Sequence, residues 1–352
     1  MKGDAVQTTL LRPGPLRALA RDTHLTRLLV MLLVLIIFFA IVKTDGFFNL
    51  LTWQSMAIQF PEFGLMALGV MLTMVTAGID LSVVGVANMA SIGAAVVMLS
   101  MAPKGADPAT ATGAIAVAIC LALAIGATAG ALNGFLVAKV RIPPILATLG
   151  SFELYTGIAI LITGGKPKSG LPNLYGQVFA GKLFGLIPVP LIVFAVAAVL
   201  IWLLMTKTAF GTKIYMLGTN ATAARFSGLN TTSLLVRTYM ISGIYASLAG
   251  LVMLANYNSA KADYGSTYTL LAVLIVVLGG VNPNGGSGRL IGVVLAILIL
   301  QILSSGLNMF PNISNFYRPL IWGGVLLAVI TANHLSGRRS HRRIAKRKGL
   351  PQ

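Results

Sequence analysis

Three carboxylates, Glu62, Asp80 and Glu153, stand within or beside long apolar runs. An ionisable group in hydrocarbon is costly, so each must face protein, water or a partner. Glu62 directly follows Pro61, and a helix bent there would bare backbone carbonyls beside a carboxylate. Asp80 precedes Leu81 and Ser82 where a helix would begin, a place where a short polar side chain caps free amides and holds a tight turn; gating or contact with a partner is the other reading. Glu153 stands two residues before Tyr155, after Ile142-Pro143-Pro144. Together with Asn88, these give the candidate lining of a polar path: Glu62, Asp80, Asn88, Glu153 and Tyr155. Amides, carboxylates and aromatic rings are the means of holding a neutral polyol. They are equally the ordinary glue between helices, and spacing leaves both readings open.

Hydrolytic chemistry has no such footing. Gly285-Gly286-Ser287-Gly288-Arg289 is glycine-rich but lacks the GxxxxGK[ST] spacing and the lysine of a phosphate-binding loop. His24, His334 and His341 form no HExxH pair, and no GxSxG elbow is present. Cys120, the single cysteine, excludes a disulfide within the chain or a cysteine-based zinc site, and reads as a small buried hydrophobe. No catalytic residue, metal ligand or cofactor is expected, so energy for any transport must come from a partner or an ion gradient.

The elements that position these residues are membrane spans. Of the 352 residues, 57% are hydrophobic and 10% charged, against about 25% charged in a soluble domain. At about 20 apolar residues per crossing, ten spans are expected: 25–42, 54–76, 81–101, 113–138, 144–163, 187–206, 238–256, 268–281, 288–307 and 318–334. The eighth is short, and reads as a tilted helix, a re-entrant segment or one that stops at Gly279-Gly280. The first is a retained span, since Lys43-Thr44-Asp45-Gly46 offers no small-x-small cleavage site. The organisation is then a basic segment 1–27, a membrane domain 28–334 and a basic tail 335–352. With both termini in the cytoplasm, Lys43, Lys104, Lys166, Lys168, Lys182, Lys261 and Arg318 fall outside and all other Lys and Arg inside. That asymmetry is the expected one. The net charge of +18 thus reads as cytoplasmic anchoring, not as a nucleic-acid footprint.

Two glycine-rich breaks, 76–82 and 279–288, lie at the cytoplasmic ends of spans six apart, which hints at an internal duplication. Gly126, Gly130 and Gly134 form a doubled small-xxx-small pattern, expected to pack within one bundle. The stretch 207–237 is the longest polar interval between spans. It carries Lys207, Lys213, Arg225 and Arg237 and no acid. Its centre, Thr222-Ala223-Ala224-Arg225-Phe226-Ser227-Gly228, reads as a short helix closed by glycine.

Several segments, in order, resemble the ribose-type permeases of ABC importers. Ala77-Gly78-Ile79-Asp80-Leu81-Ser82-Val83 is similar to their GGIDLSVG motif. Leu132-Asn133-Gly134-Phe135-Leu136-Val137 with Arg141–Gly150 resembles their NG-hV…hPxFIxTLG stretch. Gly218-Thr219-Asn220 with Ala223-Ala224-Arg225-Phe226-Ser227-Gly228-Leu229-Asn230 resembles GxN…AARxSGI, and Leu278-Gly279-Gly280 with Gly285–Gly288 resembles LGG…GGxGS. The match runs from about residue 60 to 330. Val84 departs from a common glycine, Asn282-Pro283-Asn284 from the usual turn, and Thr222 stands where the general EAA…G motif has its acid.

The resemblance implies an all-α, type II-like permease of a bacterial inner membrane. Two such subunits, identical or not, would pair with a cytoplasmic ATPase that binds ATP and with an extracytoplasmic sugar-binding protein. Thr222, Ala223, Ala224, Arg225, Ser227 and Gly228 would then couple to the ATPase, and the substrate would be a simple sugar or related polyol. Branched-chain amino-acid permeases are the nearest competitor, and an ion-coupled secondary transporter or an intramembrane enzyme stands further off.

Overall fold

A computed structural model describes residues 23–102 and 105–310, with 317, 320–324, 327 and 331. The expected basic segment up to residue 22, Lys104, most of the span 318–334 and the tail 335–352 lie outside the described residues. Residues 320–324 are helical.

The described chain is a helical bundle, and eight of its helices are long and apolar enough to cross a membrane. They are α1 (Thr23–Val42), α3 (Leu50–Val75), α4 (Val83–Met101), α5 (Pro108–Phe135), α6 (Pro144–Thr163), α8 (Val189–Lys207), α11 (Thr231–Tyr257) and α13 (Leu290–Leu307). Shorter helices join them: α2 (Thr44–Phe47), α7 (Asn173–Phe179), α9 (Ala209–Thr219), α10 (Ala221–Phe226) and α12 (Tyr268–Leu278). Among the described residues, strand pairing is confined to two antiparallel pairs of two residues each. β1 (Lys168–Ser169) pairs with β4 (Ser259–Ala260), and β2 (Lys182–Leu183) with β3 (Ile187–Pro188).

Helix α3 is the axis. Every residue from Phe60 to Val75 is buried, as expected of a helix that is apolar all round. It begins at Asn49, whose Oδ1 accepts the Leu51 amide at 2.9 Å, and it runs through Pro61 without ending. Around it pack α4, α8, α11, α12 and α13.

The tightest crossing is α5 on α11. A Cβ on Gly126, Gly130 or Gly134 would strike the backbone of Gly243, Tyr239 or Val236 respectively, so the glycine pattern does pack within one bundle. Helix α5 passes into a π-helical turn, Leu136–Val140, that Arg141 closes at φ 65°.

Two expectations change, and of the three readings of the eighth span one is selected. Cys120 is exposed on α5, because in a bilayer the outward face of a helix is as apolar as the inward one. The stretch 207–237 is more than a loop. It holds α9, capped by Thr208, whose hydroxyl accepts the Gly211 amide, and α10, capped by Asn220, whose Oδ1 accepts the Ala223 amide at 2.9 Å. The eighth span is α12, and it stops at Gly279-Gly280. Its 11 residues cover about 16 Å at 1.5 Å per residue, half of a ~30 Å hydrocarbon core. The connection 258–267 turns Ala260 and Ala262 into the bundle and leaves Lys261 and Asp263 exposed as an ion pair.

Candidate functional site

That connection accounts for two of the candidate path residues. Backbone at membrane depth must have its polar groups met from within the protein. The buried Asn88 of α4 donates through Nδ2 to the carbonyls of Ala262 and Tyr264, both at 2.9 Å. Glu62, on α3 and 2% exposed, anchors the helix ends on either side. Its Oε1 accepts Asn256 Nδ2 at 2.8 Å, and its Oε2 accepts the Tyr257 hydroxyl at 2.6 Å and that of Tyr268 at 3.3 Å. The same Asn256 amide reaches the Ile58 carbonyl at 3.1 Å, in the turn before Pro61. Tyr264 closes the group by hydrogen bonding Ser259 at 2.7 Å and packing edge-on against Tyr257.

Two more candidates meet at the first break. Asp80 is 1% exposed. Its Oδ1 accepts the Ser82 amide at 3.0 Å and the Ser82 hydroxyl at 2.7 Å, while Oδ2 accepts the Ser242 hydroxyl of α11 at 2.8 Å. Asn133 of α5 donates to Ser82 Oγ at 2.7 Å and accepts the Tyr155 hydroxyl of α6 at 3.2 Å. Thr148, also on α6, takes the Leu81 amide and reaches the Ile79 carbonyl, both at 3.1 Å. Helix α4 starts after Ser82 without a side-chain cap, so of the two structural roles expected of Asp80 it takes the tight turn, holding the Ser82 amide two residues ahead. This knot ties three spans, α5, α6 and α11, to one non-helical segment.

Glu153 behaves differently. It is the tenth of the 20 residues of α6, and alone among the five candidates it is exposed. Among the described residues it has no hydrogen bond or ion pair. Facing lipid at that depth, a carboxylate would cost about 3 kcal/mol.

The two glycine-rich breaks touch. The Gly286 amide donates to the Val75 carbonyl at 2.9 Å, and a Cβ on Gly218 would strike that same carbonyl. Gly218 is the penultimate residue of α9, whose Tyr215 hydroxyl donates to the Gly288 carbonyl at 2.8 Å. One residue after Thr219 comes Asn220, the cap of α10. There, Ala224 is buried against the bundle, while Thr222, Ala223, Arg225 and Ser227 are exposed and Gly228 takes φ 79°. Phe226 is 89% exposed and is a residue the sequence reading passed over. Beside it lies a cavity of about 510 Å³ lined by Phe210, Lys213, Leu229, Asn230, Ser233 and Arg237.

Comparison with known proteins agrees with this architecture. Residues 53–330 match the family described as branched-chain amino acid transport system / permease component. The chain is 35% identical over 300 residues to the ribose import permease protein RbsC of Bacillus subtilis (strain 168), covering 85% of this chain and 89% of that one. It is 34% identical over 310 residues to RbsC of Escherichia coli (strain K12), covering 86% and 92%. It is 31% identical over 284 residues to the autoinducer 2 import system permease protein LsrD of Yersinia enterocolitica, covering 79% and 82%. No solved structure matches. Buried knots that hold broken spans, and a family match running through both of them, make the chain a multi-pass membrane protein that belongs to the branched-chain amino acid transport system permease family.

Proposed function

We propose that this chain is the membrane-spanning subunit of an ATP-driven importer for a simple sugar or related polyol, and that α10 is the point where a cytoplasmic ATPase grips it. The observation that carries this reading is the division of α10. Ala224 packs inward, while Phe226 and its exposed neighbours point away from the bundle on a helix joined through α9 to both breaks. The cavity alongside holds Lys213 and Arg237, and no acid lies in 207–237, so the docking surface suits an acidic counterpart on the ATPase. The relatives named above are import permeases for ribose and for autoinducer 2, which favours a polyhydroxylated substrate over an amino-acid zwitterion. A binding protein outside the membrane, a second permease subunit, residence in a bacterial inner membrane and cytoplasmic termini complete the reading. No cofactor is assigned to this chain, and ATP is bound by the partner.

Reconstitution into proteoliposomes tests it. Uptake of a labelled pentose should require ATP, the ATPase and the binding protein together. Gradient-driven uptake by this chain alone would overturn the class. Phe226→Ala or Ala223→Glu, both at exposed positions, should lower uptake at least tenfold with membrane insertion intact. Normal transport by both variants would remove α10 from the coupling role. Ala224 is the wrong probe, because a charge there disturbs the packing of α10 on its own bundle.

A further inference from the structure

The hairpin of β2 and β3 carries an aromatic ring where its backbone favours none. Phe184 and Gly185 are the central residues of its turn, which the Leu186 amide closes on the Leu183 carbonyl at 3.1 Å. Both have positive φ, 52° and 72°. Such a turn takes Asn-Gly or Asp-Gly without strain, so Phe184 is held there against the preference of its own Cβ. Its ring is 87% exposed, and the neighbouring Leu183, Leu186 and Ile187 are exposed as well. We infer that this hairpin tip is a membrane anchor, which sets Phe184 and Leu186 into the lipid interface at the side of the bilayer where α8 begins.

Depth is the first observation that makes lipid the occupant. The hairpin is tied sideways onto α3. Lys182 donates to Gln54 Oε1 at 2.6 Å, and Gln54 Nε2 donates to the Leu186 carbonyl at 3.2 Å and to that of Gly185 at 3.4 Å. Gln54 is the fifth residue of α3, whose 26 residues cover about 39 Å, against about 40–45 Å for a bilayer with its headgroups. The tip thus lies beside the span, within the interfacial layer.

Charge and continuity agree with depth. Between Gly181 and Thr206 the chain has a single charged residue, Lys182, and its ammonium is drawn back onto Gln54. The tip is left uncharged and apolar, as a segment lodged at the acyl–headgroup boundary must be. Leu50, Leu51 and Trp53, in the first turn of α3 beside Gln54, are exposed too, and Trp53 gives its Nε1 proton to the Phe47 carbonyl at 2.8 Å. Aromatic rings gathered at the end of a span mark the interface. From Ile187 the chain runs directly into α8, whose exposed Val196, Val199 and Leu200 continue the same surface into hydrocarbon. The leaflet is the outer one on the topology that belongs to the importer reading above.

The full chain in a Cys120→Ser background, reconstituted in phosphatidylcholine–phosphatidylglycerol vesicles, provides the test. Bimane on Phe184→Cys should be quenched at least twofold more by a phospholipid with a nitroxide near its glycerol end than by iodide supplied on both faces. Quenching by iodide that equals or exceeds quenching by the lipid overturns the inference. So does iodide quenching that disappears only when the sugar-binding protein is added, which would give the tip to that protein. Phe184→Asn suits the turn and keeps the hairpin, so it separates anchor from fold. With bimane on Leu186→Cys, it should lower quenching by the nitroxide lipid at least twofold, and unchanged quenching would remove Phe184 from the anchor. Absence of ATP-dependent uptake by the unaltered chain would sink the importer reading, and the choice of leaflet with it, but not the contact with lipid.

Discussion

Replacing Asp80 with alanine should loosen the first break more than any other single polar change. Three donors converge on its carboxylate: the Ser82 amide at 3.0 Å, the Ser82 hydroxyl at 2.7 Å and the Ser242 hydroxyl at 2.8 Å. The hydroxyls can rotate towards backbone carbonyls, but the amide is fixed by the turn. A buried donor left unmet costs about 1–3 kcal/mol. Taking ~2 kcal/mol for the amide and somewhat less for each hydroxyl gives a loss of about 3–4 kcal/mol. That is a factor of several hundred in the equilibrium holding the break closed, since 1.4 kcal/mol is tenfold. Asp80→Asn should be far milder, about 1 kcal/mol. Its remaining oxygen still accepts both Ser82 donors, and Ser242 can turn its hydroxyl to accept from the new amide. Thermal unfolding of the purified complex in detergent, followed by size-exclusion fluorescence, gives the stability order, and ATP-dependent uptake gives the functional one. If Asp80→Ala proves no worse than Asp80→Asn on both measures, the knot does not hold the break.

Gly130→Val drives a side chain into the Tyr239 carbonyl and should cost about 1–3 kcal/mol through overpacking; Gly113→Val on the same helix meets nothing within 4 Å and should leave the thermal midpoint unchanged. Asn220→Ala removes the cap of α10, worth about 1 kcal/mol, and should reduce coupling of ATP hydrolysis to uptake, with Asn220→Asp restoring it. Tyr257→Phe takes one donor from Glu62 and should destabilise by about 1 kcal/mol. Its effect should be non-additive with Tyr268→Phe, because the two hydroxyls share one carboxylate oxygen.

Span positions were readable because hydrocarbon thickness sets a minimum apolar length, and the breaks announced themselves by glycine and Asn-Pro. The fate of the polar residues was not. Asn88 meets Ala262 and Tyr264, and Asp80 meets Ser242. These partners lie more than 150 residues apart in sequence, and neither periodicity nor local spacing carries such pairings. Inside and outside were equally obscure for apolar side chains. Cys120 sits in an alanine-rich run that reads the same whether it faces lipid or α11. The helix α9 escaped notice for a different reason, since its Gly211, Thr212 and Gly218 are poor helix formers and a polar stretch invites reading as loop. Gly218 earns its place by the close approach of α9 to Val75 and Gly286.

That close approach would let a grip on α10, as proposed above, act deep in the bundle. The junction of Val75, Gly218 and Gly286 leaves no space for even a methyl group on Gly218, so the end of α9 cannot move alone. Displacing α10 shifts the end of α3 and the second break together. Five residues beyond Val75 lies Asp80, bonded to α11 directly and to α5 and α6 through Ser82, Asn133 and Tyr155. The segment between is non-helical and carries Ala77 at φ 64°, a conformation that a residue with a Cβ adopts only under tight constraint. Motion imposed at α10 would therefore reach α6 through a hinge with firmly bonded ends.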